Sequence, residues 1–188
     1  VRSGSGGAAD GGEPDVLVAY PTADRAAIAE LAADPRLAAA ITLMVDGPAQ
    51  LDLIDSVVPP GRRPEIRVCL DLDASWRPLG GGPGGRLHIG VRRSPVHSPA
   101  AAGKLAETIA TRRGFRLVGM MAYEAQIAGL GDAPPGAAVR GAVIRALQRR
   151  SYRDVVRRRG AAAAAVRAHA DLAFVNGGGT GSVAATCA

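Results

Sequence analysis

DVLVAYPTADRAAIAELAADPRLAAAITLMVD, residues 15–46, decides the fold. Two continuous apolar runs, DVLVAY (15–20) and AITLMVD (40–46), flank TADRAAIAELAAD (22–34), whose apolar residues recur at three-to-four spacing. Continuous apolar runs are what strands covered on both faces require, and a helix between two of them lets the second strand run parallel to the first. The step then repeats. EIRVCLDLD (65–73) starts 25 residues after position 40, as position 40 does after position 15, close to the ~30 residues per unit of a (β/α)8 barrel.

Two further runs, FRLVGMMAY (115–123) and DLAFVN (171–176), read as strands, and GPAQLDLIDSV (47–57), SPAAAGKLAETIATRRG (98–114) and the stretch 137–170 read as amphipathic helices between them. In the first of these helices Leu51, Ile54, Val57 and Val58 share a face. The expected fold class is α/β: an incomplete (β/α)8 barrel of about five core parallel strands, where closure needs about eight. Two segments break the rhythm. SWRPLGGGPGGRLHIGVRRSP (75–95) is a glycine-rich excursion with a strand-like HIGV, read as a hairpin beyond the third strand. QRRSYRDVVRRRGAAAAAVRAHA (148–170) reads as two helices hinged near Gly160.

The 188 residues, 47% hydrophobic, suffice for one ordinary domain. No apolar run approaches the ~20 residues of a membrane helix, and the start lacks a secretory layout, so a soluble, cytoplasmic protein is expected. Cys69 lies within a strand pattern and Cys187 near the end, giving neither a disulfide framework nor a metal-ligand spacing. The net charge of +6 is carried almost wholly by arginine, Lys104 being the only lysine. Heavy use of Ala, Gly and Arg fits a GC-rich genome, which removes the basic balance as evidence for nucleic acid. The arginine run at 149–159 is interrupted by Asp154, Val155 and Val156 and holds one aromatic, Tyr152, so it reads as a solvated helix face. Residues 1–14, VRSGSGGAADGGEP, are expected to form a flexible lead-in.

Three constellations carry chemistry. In NGGGTGS (176–182) a glycine run at the carboxyl end of a buried strand lets backbone N–H groups converge on an anion, with hydroxyls from Thr180 and Ser182; phosphate is the natural guest, and a frayed tail the alternative. A P-loop is excluded because no Gly-Lys-Ser/Thr follows. In MMAYEAQ (120–126) Tyr123 stands where a strand leaves the sheet and can stack on a planar ring or simply cap the core. In LDLDASWR (70–77) Asp71 and Asp73 face one side of a strand, for acid/base work or for pairing with Arg67, Arg77 or a helix end. Arg77, Arg86, His88, Arg92 and Arg93 all lie in or near the excursion, within reach of an anionic oxygen at the mouth. His97 marks a loop, and His169 reads as surface.

Taken in order, DVLVAYPTADRAA, RVCLDLDAS, HIGVRRSP, GFRLVGMMAYEAQIAG and FVNGGGTGS resemble the barrel domain of fold-type III pyridoxal-phosphate enzymes, the alanine racemase N-terminal domain superfamily. Within it they are most similar to the D-threonine aldolase-like branch, which includes amino acid deaminase/aldolase proteins. The resemblance covers residues 15–182. It implies that Asn176, Gly177, Gly178, Gly179, Thr180, Gly181 and Ser182 bind the cofactor's phosphate and that Tyr123 lies against its pyridine ring. It implies a contact to the phenolic oxygen for which Arg77 and His88 compete. Such enzymes hold the cofactor as a Schiff base on a lysine at the end of the first barrel strand.

Lys104 sits instead in the opening turn of a helix pattern. The resemblance puts the absent lysine, with two strands, upstream of residue 15. It puts the last strand and a second, mostly β domain, carrying a divalent metal in the aldolase branch, downstream of residue 182. Together with Val1 in place of Met, this makes the chain an expected interior of a longer enzyme, residues 183–188 being a cut tail and no metal site lying in the chain itself. The implied function is a lyase or deaminase acting on a D- or β-hydroxy-amino acid, homodimeric at full length, with no nucleic-acid or membrane partner. The alternatives are a non-catalytic barrel for pyridoxal-phosphate homeostasis or an amino acid racemase, and an inactive gene fragment.

Overall fold

The computed structural model describes residues 15–77, 88, 90–122 and 138–177, with the backbone alone for 138–150. Five strands form one sheet in the order of the chain: β1 (Val16–Val18), β2 (Ile41–Val45), β3 (Ile66–Asp71), β4 (Phe115–Ala122) and β5 (Phe174–Gly177). Every neighbouring pair is parallel. The crossovers carry α1 (Arg25–Ala33), α2 (Pro35–Ala40), α3 (Pro48–Val57), α4 (Pro99–Thr111) and α5 (Ala138–Arg167). Each of the five expected core strands is present, its bounds within three residues of those read from the sequence, with β5 running one residue further to Gly177.

The helices start where the sequence supplies caps. Asp24 accepts from Ala26 N and Ala27 N at 2.9 and 3.1 Å, and Ser98 accepts from Ala101 N at 3.1 Å with Pro99 at the first helical position. Between β1 and β2 the structure has two helices where periodicity predicts one. Pro35 forces Asp34 into an extended conformation (φ −116°, ψ 112°), which ends α1, and the freed Asp34 carboxylate then caps α2 at Arg36 N, 2.7 Å. The opposite correction applies to residues 138–167, a single helix that runs through Gly160 without a hinge. One glycine costs about 1 kcal/mol of helix propensity, and the alanines beyond it restore the helix. Ala162, Ala163 and Val166 are buried in the main core, and Gly103 of α4 lies close enough to Ala165 that a Cβ there would sit 3.5 Å from Ala165 Cβ.

Alternation along the strands separates two faces. One carries Leu43, Val45, Ile66, Val68, Leu70 and Met120 into a core shared with Ile28 of α1, Leu51 and Ile54 of α3, Leu105 and Ile109 of α4, and the α5 residues. The other carries Leu17, Thr42, Met44, Arg67, Cys69 and Asp71, which adjacent registers bring side by side. A shift in register between Val68 and Cys69 pairs Val68 with Leu117 and Cys69 with Gly119, leaving Val118 as the extra residue. Gly119 is obligatory here: a Cβ would fall 2.3 Å from the ring of Phe174, its partner on β5. The sheet is curled into a half-barrel. Its first and last strands line a common cleft of ≈ 440 Å³ through Asp15, Leu17, Phe174, Val175 and Asn176.

The amino ends of the strands are closed by ion pairs. Arg63, whose side chain is buried, donates to Asp55 at 2.6 Å, to Val58 O at 3.0 Å and to Gly114 O, and lies 4.4 Å over the Phe115 ring; Arg112 joins Asp52 and Asp55. Gly114 takes φ +82°, a conformation that disfavours a side chain. Arg67 pairs with Asp15 at 2.9 Å and donates to Ala39 O, so it is engaged at this end and not with the β3 carboxylates. In the excursion, His88, Gly90 and Val91 are not strand, and Gly90 has φ +111°. The rest of the expected hairpin (78–87, 89), the lead-in 1–14 and the tail 183–188 lie outside the described residues.

Candidate functional site

The carboxyl ends of parallel strands are where α/β folds assemble sites, because loops and inner-face side chains converge there. Asp71 ends β3, is fully buried, and accepts from Arg93 Nε at 3.0 and 2.9 Å on its two oxygens. The same guanidinium donates through Nη2 to Ala19 O beyond β1 and to Met44 Sδ of β2 at 3.2 Å, and lies 4.4 Å over the Tyr20 ring. Arg93 thereby ties together the ends of three strands. Burial pushes the Asp71 carboxyl up to about 6, with Asp46 and Asp73 adding to the rise and Arg93 opposing it. Burial also pushes the neighbouring Cys69 thiol up to about 12, so it is no nucleophile at neutral pH.

Asp73 is equally buried and has its own arginine. Its Oδ2 accepts from Arg77 Nη2 at 2.5 Å and its Oδ1 from Ser75 N at 2.8 Å. The two carboxylates are therefore separate ion pairs, Asp71–Arg93 and Asp73–Arg77, and not a proton-sharing couple. The loop after β3 is clamped by Arg158 of α5, which donates to Asp73 O (2.5 Å), Ser75 O (2.8 Å) and His97 O (3.2 Å) and is steadied by Asp154 at 3.2 Å. This corrects the reading of the arginine run as uniformly solvated: Arg157 is on the solvent side and Arg158 is inside. His97 contacts Ser75 O at 3.1 Å through Nε2, which must carry the proton because a carbonyl only accepts. Desolvation, with Arg158 and Arg77 nearby, lowers its pKa and keeps the ring neutral.

Of the residues singled out in the sequence, the structure brings Arg77 to the mouth beside Asp73, with His88 in the same electrostatic neighbourhood. Asn176 and Gly177 end β5 opposite Met121 and Ala122. Tyr123 and Gly178, Gly179, Thr180, Gly181 and Ser182 lie outside the described residues. Lys104 is exposed on α4, whose buried face is made by Ala102, Leu105, Ala106 and Ile109, so it sits on the outer layer and not at the mouth. An aldehyde cofactor held covalently does not fit the described residues, which offer no amine there. Groups of three or more metal-ligating side chains are absent among the described residues. The sequence put Arg93 within reach of the mouth without its partner Asp71, gave Arg158 no inside role, and passed over Tyr20, which is 67% exposed at the mouth. The Asp154–Arg158 spacing of four was the one readable hint of the clamp.

No family model matches the chain, and no curated protein matches it. Among solved structures it is similar to D-threonine aldolase from Filomicrobium marinum, with a TM-score of 0.62 and 20% identity over 91% of this chain and 39% of that one. The chain thus spans 39% of that aldolase's length, and the likeness is one of fold. PipY of Synechococcus elongatus, solved without PLP, matches at 14% identity over 76% of this chain and 62% of that one, but with a TM-score of 0.28 that bears no argument.

Proposed function

We propose that this chain forms the mouth-bearing half of a pyridoxal-phosphate-dependent amino acid lyase or deaminase of the D-threonine aldolase kind, acting on a D- or β-hydroxy-amino acid. The observation that carries the reading is the half-barrel likeness to D-threonine aldolase over 91% of the chain. The glycine-rich segment that continues β5 supports it, as the family-like phosphate loop. When bound, pyridoxal phosphate supplies the electron sink that lets a bond to the amino acid's α-carbon break. This chain's own part is non-covalent. Arg93 and Arg158 hold the strand ends rigid, Asp71 and Asp73 remain paired, and the amine that bonds the cofactor comes from outside this sequence.

The test uses the whole reading frame in which the sequence lies, expressed with pyridoxal phosphate and given D-threonine. The expected products are glycine and acetaldehyde, formed only with the cofactor present. Absence of both a cofactor-dependent absorbance change and product would reject the reading. Cofactor binding without turnover of any amino acid would favour a non-catalytic carrier. The 188-residue chain alone, mixed with pyridoxal phosphate and reduced with borohydride, is expected to give no site-specific adduct, and Lys104→Arg is expected to change nothing.

A further inference from the structure

Beyond Asp71 the chain runs across the mouth as Leu72-Asp73-Ala74-Ser75-Trp76-Arg77, and two polar atoms there, with a third on His88 in the same electrostatic neighbourhood, are left without partners. Ser75 is 1% exposed with its backbone N–H and C=O fully engaged, yet its Oγ is buried and unbonded. Arg77 commits Nη2 to Asp73 and leaves Nε buried and unbonded. His88 does the same with Nε2. Each unmade bond inside a protein costs about 1–3 kcal/mol, and native folds leave few of them. Two on this loop and one on His88, whose electrostatic neighbours include Asp73 and Arg77, point to ligand atoms that complete them.

The donors define the ligand. Arg77 Nε–H can only donate, the Ser75 hydroxyl can donate, and His88 is held neutral by desolvation with Arg92 and Arg77 nearby, so Nε2 can carry its one proton. Unfilled donors that share the neighbourhood of Asp73 beside an arginine call for anionic oxygen. Asp73, already paired to Arg77, opposes a doubly charged guest, which favours a carboxylate over a phosphate. We propose that Ser75, Arg77 and His88 form a subsite for the carboxylate of an amino acid. That the carboxylate belongs to an amino acid rests on the function proposed above; the carboxylate chemistry does not.

The experiment is a proton NMR titration of the 188-residue chain without pyridoxal phosphate. Its three histidines, His88, His97 and His169, give separable imidazole signals, assigned with His88→Gln. D-threonine and acetate are expected to move the His88 signals saturably and to raise its pKa, because a bound anion favours imidazolium; ethanolamine is expected to do neither. Ser75→Ala removes a hydroxyl that bonds nothing, so the unfolding midpoint should hold or rise slightly while acetate binds about fivefold more weakly. Arg77→Lys keeps a charge beside Asp73 but loses the Nε–H, with a similar weakening expected. No response of His88 to acetate, an equal response to ethanolamine or inorganic phosphate, or a destabilised Ser75→Ala would overturn the subsite, leaving water as the occupant. Cofactor binding that survives such a failure sinks the subsite alone; carboxylate binding without any cofactor binding sinks the enzyme reading alone.

Discussion

Asp71 is the residue whose chemistry most constrains the mouth. Its carboxyl, fully buried, titrates near 6 in the fold against 3.8 for the free side chain, with burial as the chief cause. Between these values the native state keeps a proton that the unfolded chain has released. The group's contribution to stability is therefore fully present below about pH 4 and is lost as pH rises through 6. The loss amounts to at most about 3 kcal/mol at ~1.4 kcal/mol per pKa unit. Denaturant midpoints measured from pH 4 to 7 should fall with rising pH in the native protein relative to Asp71→Asn, in which that proton cannot leave. A pH-independent difference between the two would show that Arg93 holds Asp71 ionised throughout. At this scale the sequence was half legible. Alternation alone put Asp71 and Asp73 on one side of a strand, but their environment depends on chain folded back from elsewhere. Arg93 lies 22 residues on through an irregular loop, and Arg158 meets Asp73 across 85 residues. No local pattern encodes either meeting.

The elements were far more legible, for a physical reason. A parallel strand covered on both faces must be apolar nearly throughout, so AITLMVD and EIRVCLDLD announce β2 and β3 within two residues of their ends. Helix boundaries were less so, because one proline at 35 outweighs the periodicity around it and one glycine at 160 does not. The long α5 has a use that its sequence hides: Arg158 anchors it to the loop that carries Asp73 and Ser75. Removing the guanidinium strands the carbonyls of Asp73 and His97 and leaves that of Ser75 to His97 alone, so Arg158→Met should cost about 2–4 kcal/mol. Arg157→Met, one position away and 84% exposed, should stay within about 0.5 kcal/mol. Urea midpoints of the pair decide the matter. Equal effects would mean that α5 is held by Ala162, Ala163 and Val166 alone.

For the whole molecule, the consequence of five strands in a curled sheet is two edges. Among the described residues β1 pairs only with β2 and β5 only with β4, so each offers a row of backbone groups on its free side. Val16, 48% exposed on β1, adds apolar surface to one of these rows. Such edges template pairing with another chain unless a charge or a covering element blocks them. The cleft between them, bordered by Asp15 and Asn176 but also by Leu17, Phe174 and Val175, offers further apolar surface. The expected behaviour of the 188-residue chain in solution is therefore self-association that rises with concentration. Val16→Lys should reduce it by placing a charge on the β1 edge while leaving the helix-covered core untouched. Sedimentation velocity across a hundredfold concentration range provides the measurement. A chain that stays monomeric throughout, with Val16→Lys indistinguishable from it, would mean that the half-barrel closes its own edges, and the argument from open strands would fail.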